Sequence, residues 1–281
     1  MDVELVVVGS GQDGGNPQFG RVDGIGPERT ASSVAVIADS DMVLLFDASP
    51  DLRHQYRHIV GRTPHRTATT PVDAVFVTHA HMGHYGGLIH FGKEAANTEG
   101  VPLHAPSSVL EYLDANEPWA SMMRQGNLIG HATEDGPGCY GPISVTAIPV
   151  PHRADLSTAV AFSVAIDGDA WVLYAPDIDA WDQWPEAHDT LGHHRIGLLD
   201  ATFGDPDELG DRPMDQVPHP LVDDTIDRFG DLSDDVHLVL THLNHTNPFS
   251  DPATPEHQRA LAAGFSIAYD GMVLDPDGRR G

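Results

Sequence analysis

Residues 78–87 read Thr-His-Ala-His-Met-Gly-His-Tyr-Gly-Gly and follow the apolar run Val75-Phe76-Val77. A short apolar run bounded by turn residues reads as a buried strand. This one stops on three histidines, His79, His81 and His84, at spacings of two and three. Neutral imidazole is the commonest protein ligand for zinc and also suits iron. An H-x-H pair at a strand end, with a third His one turn on, can aim several ring nitrogens at one point. The plain alternative is a chance cluster in a chain that carries 18 His. Their position, where a rigid strand stops, favours the metal reading.

The same arrangement recurs further along. His152 follows the strand-like Ile148-Pro-Val150, Asp177 follows Leu173-Tyr-Ala175, and His242 ends the run Val236–Thr241. Taken singly, each is better read as a buried hydrogen-bonding anchor. Together they place His or Asp at four strand ends, where a rigid scaffold usually presents a site.

Strands are expected at 3–8, 33–38, 42–46, 73–78, 101–105, 143–149, 158–166, 170–174, 196–200, 236–241 and 267–270. Asp39-Ser40-Asp41 reads as a hairpin turn. Helices are expected at 50–60, 88–95, 107–113, 219–230 and 255–263. The Gly-rich stretch 9–29 reads as a long functional loop. Two strand-rich halves, each followed by helices, predict two sheets packed face to face with helices outside. The expected organisation is one domain over residues 1–281 with an internal two-half pseudo-repeat, the Gly/Pro-rich stretch 135–142 being the nearest thing to a boundary.

Charge narrows the partners. The chain carries 42 acidic and 15 basic residues, a net charge of -27, and a single lysine, Lys93. That field repels phosphate backbones and anionic membranes, so neither nucleic acid nor a membrane is expected as a partner. A high-salt cytoplasm and a genome favouring Arg and Asp explain this composition equally well. No apolar run approaches a membrane span. Met1-Asp-Val-Glu-Leu reads as a first strand, not a signal sequence. The lone Cys139, expected to be an inert half-buried thiol, excludes an internal disulfide framework. A cytoplasmic location is the expectation.

The order His-x-His, His, Asp, His resembles the metallo-β-lactamase fold. That family's H-x-H-x-D-H motif matches residues 79–84, with Gly83 where the Asp should stand. The resemblance implies an α/β protein, a four-layer αββα sandwich, with one or two zinc ions, or iron, at one edge of the sheets. His79, His81 and His152 would hold the first metal, Asp177 would bridge, and His84 and His242 would belong to the second. Longer segments are similar to the protein B family of pyrroloquinoline quinone biosynthesis: Gly9-Ser-Gly-Gln-Asp-Gly-Gly-Asn-Pro-Gln18, Asp47-Ala-Ser-Pro-Asp-Leu-Arg53, His104-Ala-Pro-Ser-Ser-Val-Leu-Glu111, Leu199-Asp-Ala-Thr-Phe203 and Thr241-His-Leu-Asn-His-Thr-Asn-Pro248. Two departures point to a relative and not the pathway enzyme. The Cys-rich segment after Pro-Gln is absent from Phe19–Asp23, and His79 and His81 are intact where that family's motif is degraded.

Gly83 deletes a carboxylate from the second site, which keeps His84, Asp177 and His242, enough for a catalytic zinc with an open position. His245, where the family pattern has Asn, is a candidate substitute ligand; a supporting or surface role is its alternative. The resemblance implies a metal-dependent hydrolase in which metal-activated water attacks an ester, amide or phosphoester-type bond of a small-molecule substrate. Asp177 and His242 are the catalytic candidates. His219, Asn244, Asn247 and the 9–20 loop are candidate substrate contacts. Trp181 and Trp184 would line a pocket or pack in the core. No Ser-His-Asp elbow or P-loop competes. The alternatives are an iron-dependent oxidoreductase, resembling protein B, and a non-catalytic metal-binding scaffold. Manganese is the other metal to consider, and a homodimer is left open.

Overall fold

The computed structural model describes residues 1–210, 212–213 and 216–276. Two mixed seven-stranded sheets form its centre. The first takes β1 (Val3–Gly9), β2 (Ser33–Ala38), β3 (Met42–Phe46), β4 (Ala74–Phe76), β5 (Val101–Ala105) and β6 (Leu128–Ala132), with β14 (Val273–Leu274) returning beside β1. The second takes β7 (Gly138–Tyr140), β8 (Ile143–Val150), β9 (Ala159–Ile166), β10 (Asp169–Ala175), β11 (Ile196–Asp200), β12 (His237–Thr241) and β13 (Ser266–Ile267) in sequential order.

Side-chain alternation builds the layers. In β1, Val3, Leu5 and Val7 join the core between the sheets, while Val6 and Val8 face the outer core of the first sheet. In β3, Leu44 and Phe46 point inward, and Val43 and Leu45 outward. Period-two alternation, with both faces apolar, is what a sheet covered on both sides requires. The first outer face is covered by α1 (Leu52–Gln55), α2 (Arg57–Val60), α3 (Met82–Tyr85), α4 (Ser107–Asp114) and α5 (Trp119–Gln125). The second is covered by α6 (Ala187–Gly192), α7 (Val222–Phe229) and α8 (Pro255–Ala262). The αββα sandwich expected from the sequence is the architecture found.

Between the sheets, Phe46 stacks on Phe76 with ring centroids 4.9 Å apart, and Phe162 and Tyr174 meet them edge-on. The β2–β3 hairpin turns at Asp39 and Ser40, with φ of 51° and 56°. The loop is Asp39–Asp41, between the paired Ala38 and Met42.

Several expectations need correction. The helix expected at 88–95 is a 3₁₀ stretch over Gly86–Phe91 that ends at Gly92. The helix at 50–60 is two short turns divided at Tyr56. The strand expected at 267–270 is β13, which stops at Ile267, and a further strand, β14, follows it. The stretch 135–142 lies where the chain passes from β6 of the first sheet to β7 of the second, and it contains the edge strand β7, paired with β8. Cys139 lies on that edge and is exposed, not half-buried. Among the described residues, no helix is long and apolar enough to cross a membrane.

Candidate metal centre

The C-terminal ends of β4, β8, β10 and β12 meet at one edge of the sandwich. β4 ends at Phe76, and the chain is then captured by Asp47. Asp47 N–H donates to Phe76 O at 2.7 Å, and its carboxylate accepts from Thr78 N–H at 2.8 Å and from Thr78 Oγ1. This fixes the direction in which His79 and His81 leave the strand. One turn later, α3 begins after His81. His84 N–H donates to His81 O, and His84 O accepts from Ala48 N–H, each within 2.9 Å. The motif is thus laced to the strand end beside it. Asp47 and His242 both adopt left-handed backbone, with φ of 58° and 63°. Such conformations in non-glycine residues cluster at functional sites.

His79, His81, His152 and Asp177 form a first buried group whose donor atoms all lie within 4.8 Å of one another. His79 Nε2 is 2.8 Å from His81 Nδ1, which is 3.1 Å from His152 Nε2, and Asp177 Oδ2 is 3.3 Å from His79 Nε2. Ligands about 2.0–2.1 Å from a tetrahedral zinc stand roughly 3.4 Å apart. The second nitrogens of His79 and His81 are hydrogen-bonded elsewhere, while that of His152 lies near two carboxylates without a hydrogen bond. His79 Nδ1 meets Thr78 Oγ1 at 3.0 Å, His81 Nε2 meets Asp155 Oδ1 at 3.2 Å, and His152 Nδ1 lies 2.9 Å from Asp179 Oδ1. Holding the outer nitrogen is how proteins orient histidine ligands.

A second group sits beside it. Asp177 Oδ2 is also 3.6 Å from His84 Nε2 and 3.8 Å from His242 Nε2, so one carboxylate oxygen faces both groups. The outer nitrogen of His84 is held by Asp47 at 2.8 Å and that of His242 by Thr202 Oγ1 at 2.8 Å. Asp13 Oδ1 completes a cluster with His84 and His242. His219 stands close by, 3.3 Å from Asp177 Oδ1 and 2.8 Å from Asp200 Oδ2.

Electrostatics sort these groups. Burial and the nearby His84 push His79 down to about 3, although Asp177 pulls the other way. Burial likewise pushes His152 down to about 3 against the pull of Asp177. Both are therefore neutral, as ligands must be. Burial acts to lower His84 too, but Asp47, Asp13 and Asp177 outweigh it and hold it well above its ordinary value. For Asp177, burial is outweighed by His152, His219 and His242, and its carboxyl lies well below the usual range. His219 rises to about 9 because Asp200 and Asp177 overcome its burial.

The donor set fits a divalent metal on one further observation. Asp13 Oδ1, His84 Nε2 and His242 Nε2 are buried, converge on one another and have no hydrogen-bond partner. Buried polar atoms are almost always satisfied, so such a convergence calls for an ion or a water.

All six of the residues expected as ligands are brought together here. His245 is not: it lies outside these clusters and meets Asn244 Oδ1 at 3.1 Å. Asn247 is fully buried and spends its amide on Ala201 O, Thr202 O and Phe249 N–H, which makes it a loop anchor and not a substrate contact. Trp181 and Trp184 are packed in the outer core of the second sheet. The sequence reading missed Asp13, Asp47, Asp155, Asp179 and Asp200. Asp47 and Asp200 do end or follow strands, and the strand-end rule that found Asp177 applies to them as well.

Two sheets back to back, with a buried histidine–aspartate cluster at their shared edge, define the metallo-β-lactamase class of fold. The chain belongs to the beta-lactamase superfamily: the family model for the beta-lactamase superfamily domain matches residues 43–243. It is 27% identical over 305 residues to coenzyme PQQ synthesis protein B of Xanthomonas campestris pv. campestris, covering 97% of this chain and 99% of that protein. Among solved structures it is similar to Zn(2+)-bound PqqB from Methylobacterium extorquens, with a TM-score of 0.81 and 23% identity over 97% of this chain and 99% of that one. It is also similar to a diphosphatase of the PhnP family, with a TM-score of 0.67 and 22% identity over 98% of this chain and 97% of that one.

Proposed function

We propose that this protein is a metal-dependent hydrolase of a small-molecule ester, amide or phosphoester, with zinc as its metal. The observation that carries the reading is the convergence of His79, His81 and His152 on Asp177, with the outer nitrogens of His79 and His81 held by Thr78 and Asp155. A nitrogen-rich set with one carboxylate suits zinc, and the similar Methylobacterium protein is zinc-bound. A bound divalent ion supplies an acidified water and a Lewis acid for the substrate oxygen. The chain's own residues do the rest. Asp177, ionised and facing both groups, orients the attacking water by accepting its hydrogen bond. His242, held through Nδ1 by Thr202, keeps its Nε2 directed at the same point. His219, positive between Asp200 and Asp177, offers charge to an oxyanion developing at the substrate.

The test begins with protein purified without added metal. Elemental analysis is expected to find zinc, and a panel of p-nitrophenyl esters and phosphoesters is expected to yield a hydrolysed substrate. Chelation should abolish turnover. His79→Ala should lower kcat/KM by more than about 100-fold, beyond the usual effect of altering a ligand's supporting partner. Full activity in His79→Ala would overturn the metal mechanism. Iron in place of zinc, with no hydrolysis across the panel, would favour the oxidoreductase reading.

A further inference from the structure

The family motif places an Asp where this chain has Gly83, so a second metal would lack a carboxylate. The structure assigns that role to Asp13. We propose that Asp13, from the glycine-rich loop after β1, is the carboxylate ligand of the second metal and stands in the space the motif Asp would fill. The proposal rests on the metallohydrolase reading above and adds a ligand to it.

The first observation is steric. A β-carbon on Gly83 would lie 2.2 Å from Asp13 Oδ1, 2.6 Å from its Cγ and 2.8 Å from its Cα. No side chain at 83 fits while Asp13 stays where it is. Gly83 is therefore a requirement of the Asp13 position, and its missing side chain makes room for a carboxylate arriving from another segment.

The second observation is where that carboxylate points. Asp13 Oδ1 lies 3.3 Å from His84 Nε2 and 3.6 Å from His242 Nε2. These are the nitrogens left over after Asp47 and Thr202 have taken the other side of each ring. The Asp13 side chain as a whole is 24% exposed, yet its Oδ1 is buried and has no hydrogen-bond partner. Three convergent orphan atoms, one anionic and two imidazole, are a cation site by composition.

The third observation is that the loop is fixed to the site. Gln12 N–H donates to Leu243 O at 2.9 Å and Leu243 N–H donates to Ser10 O at 3.1 Å, so Asp13 is tethered to the residue after His242. Gly15 N–H closes a turn on Gln12 O at 2.7 Å. Asp13 thus sits on a turn tied to the metal centre, as a ligand must.

Zinc stoichiometry by elemental analysis after dialysis, and zinc affinity by chelator competition, test this on the whole protein. The wild type should hold two ions. Asp13→Ala and the near-isosteric Asp13→Asn should keep the first ion and weaken the second by about 100-fold. Melting curves show that each variant folds. A wild type with one ion, or an Asp13→Asn variant that holds two as tightly as the wild type, would overturn the assignment. A wild type that binds no metal would instead sink the metallohydrolase reading itself.

Discussion

The carboxylate of Asp47 lies 2.8 Å from Nδ1 of His84, and both side chains are fully buried. Asp47 also accepts from Thr78 N–H, from Thr78 Oγ1 and, at 3.1 Å, from Tyr174 O–H. Tyr174 belongs to the aromatic core between the sheets. One carboxylate therefore couples the core, the strand end that launches His79 and the outer face of His84.

Asp47→Asn keeps the shape but removes the charge that fixes His84. The expected result is metal affinity 10–100-fold lower, the usual effect of altering a ligand's supporting partner. Chelator competition measures it. Unchanged affinity would mean that His84 is oriented by packing alone.

Trp181 gives a contrasting case. It is buried, its Nε1–H donates to Thr225 Oγ1 at 2.8 Å, and it meets Phe229 edge-on at 4.8 Å. Trp181→Ala should cost about 3–5 kcal/mol in urea unfolding, as large-to-small core changes do. Zinc stoichiometry at 25 °C should stay at the wild-type value. A loss of metal without a loss of stability would place Trp181 at the site instead of in the core.

The acidic surface makes a prediction about salt. With a net charge of -27, self-repulsion destabilises the compact state in dilute buffer, and salt screens it. The melting temperature should rise by more than about 5 °C between dilute buffer and molar salt, the shift expected from about 2 kcal/mol at this size. A flat response would leave Arg- and Asp-favouring codon usage as the reason for the composition.

The layers and most of the clustered histidines and Asp177 were legible because their signals are local. β2, β3, β5 and β11 fall where short, largely apolar runs predict them, and His79, His81, His152, Asp177 and His242 each follow such a run. Features without a local signal were lost. β6 contains Gly130 and is mostly exposed along an edge, and β7 hides in a Gly/Pro stretch, so neither shows the alternation of a half-buried strand. α5 follows closely on Pro118 and is short. Asp13 was invisible for a different reason. It lies in a loop far from Gly83 in sequence, and only the folded chain brings the carboxylate to the gap that the motif leaves.

His104 carries the last prediction. Its half-buried ring stacks on Phe76 at 4.7 Å and on His131 at 5.1 Å, and its Nε2 meets Tyr140 O–H at 2.8 Å. Burial, with the neighbouring His131, pushes it down to about 4 from an ordinary 6.5. The unfolded chain therefore binds this proton more readily than the folded one between those values. Stability is fully present above about pH 6.5 and is lost as pH falls towards 4. Half-exposed rings are screened by solvent, so the share due to His104 is about 1 kcal/mol. His104→Phe keeps the stack and removes the proton. Urea unfolding at pH 7.5 and pH 5 should show a smaller loss for the variant than for the wild type. Equal losses would mean that His104 titrates alike in the folded and unfolded chain, and that the acid sensitivity lies with other buried groups.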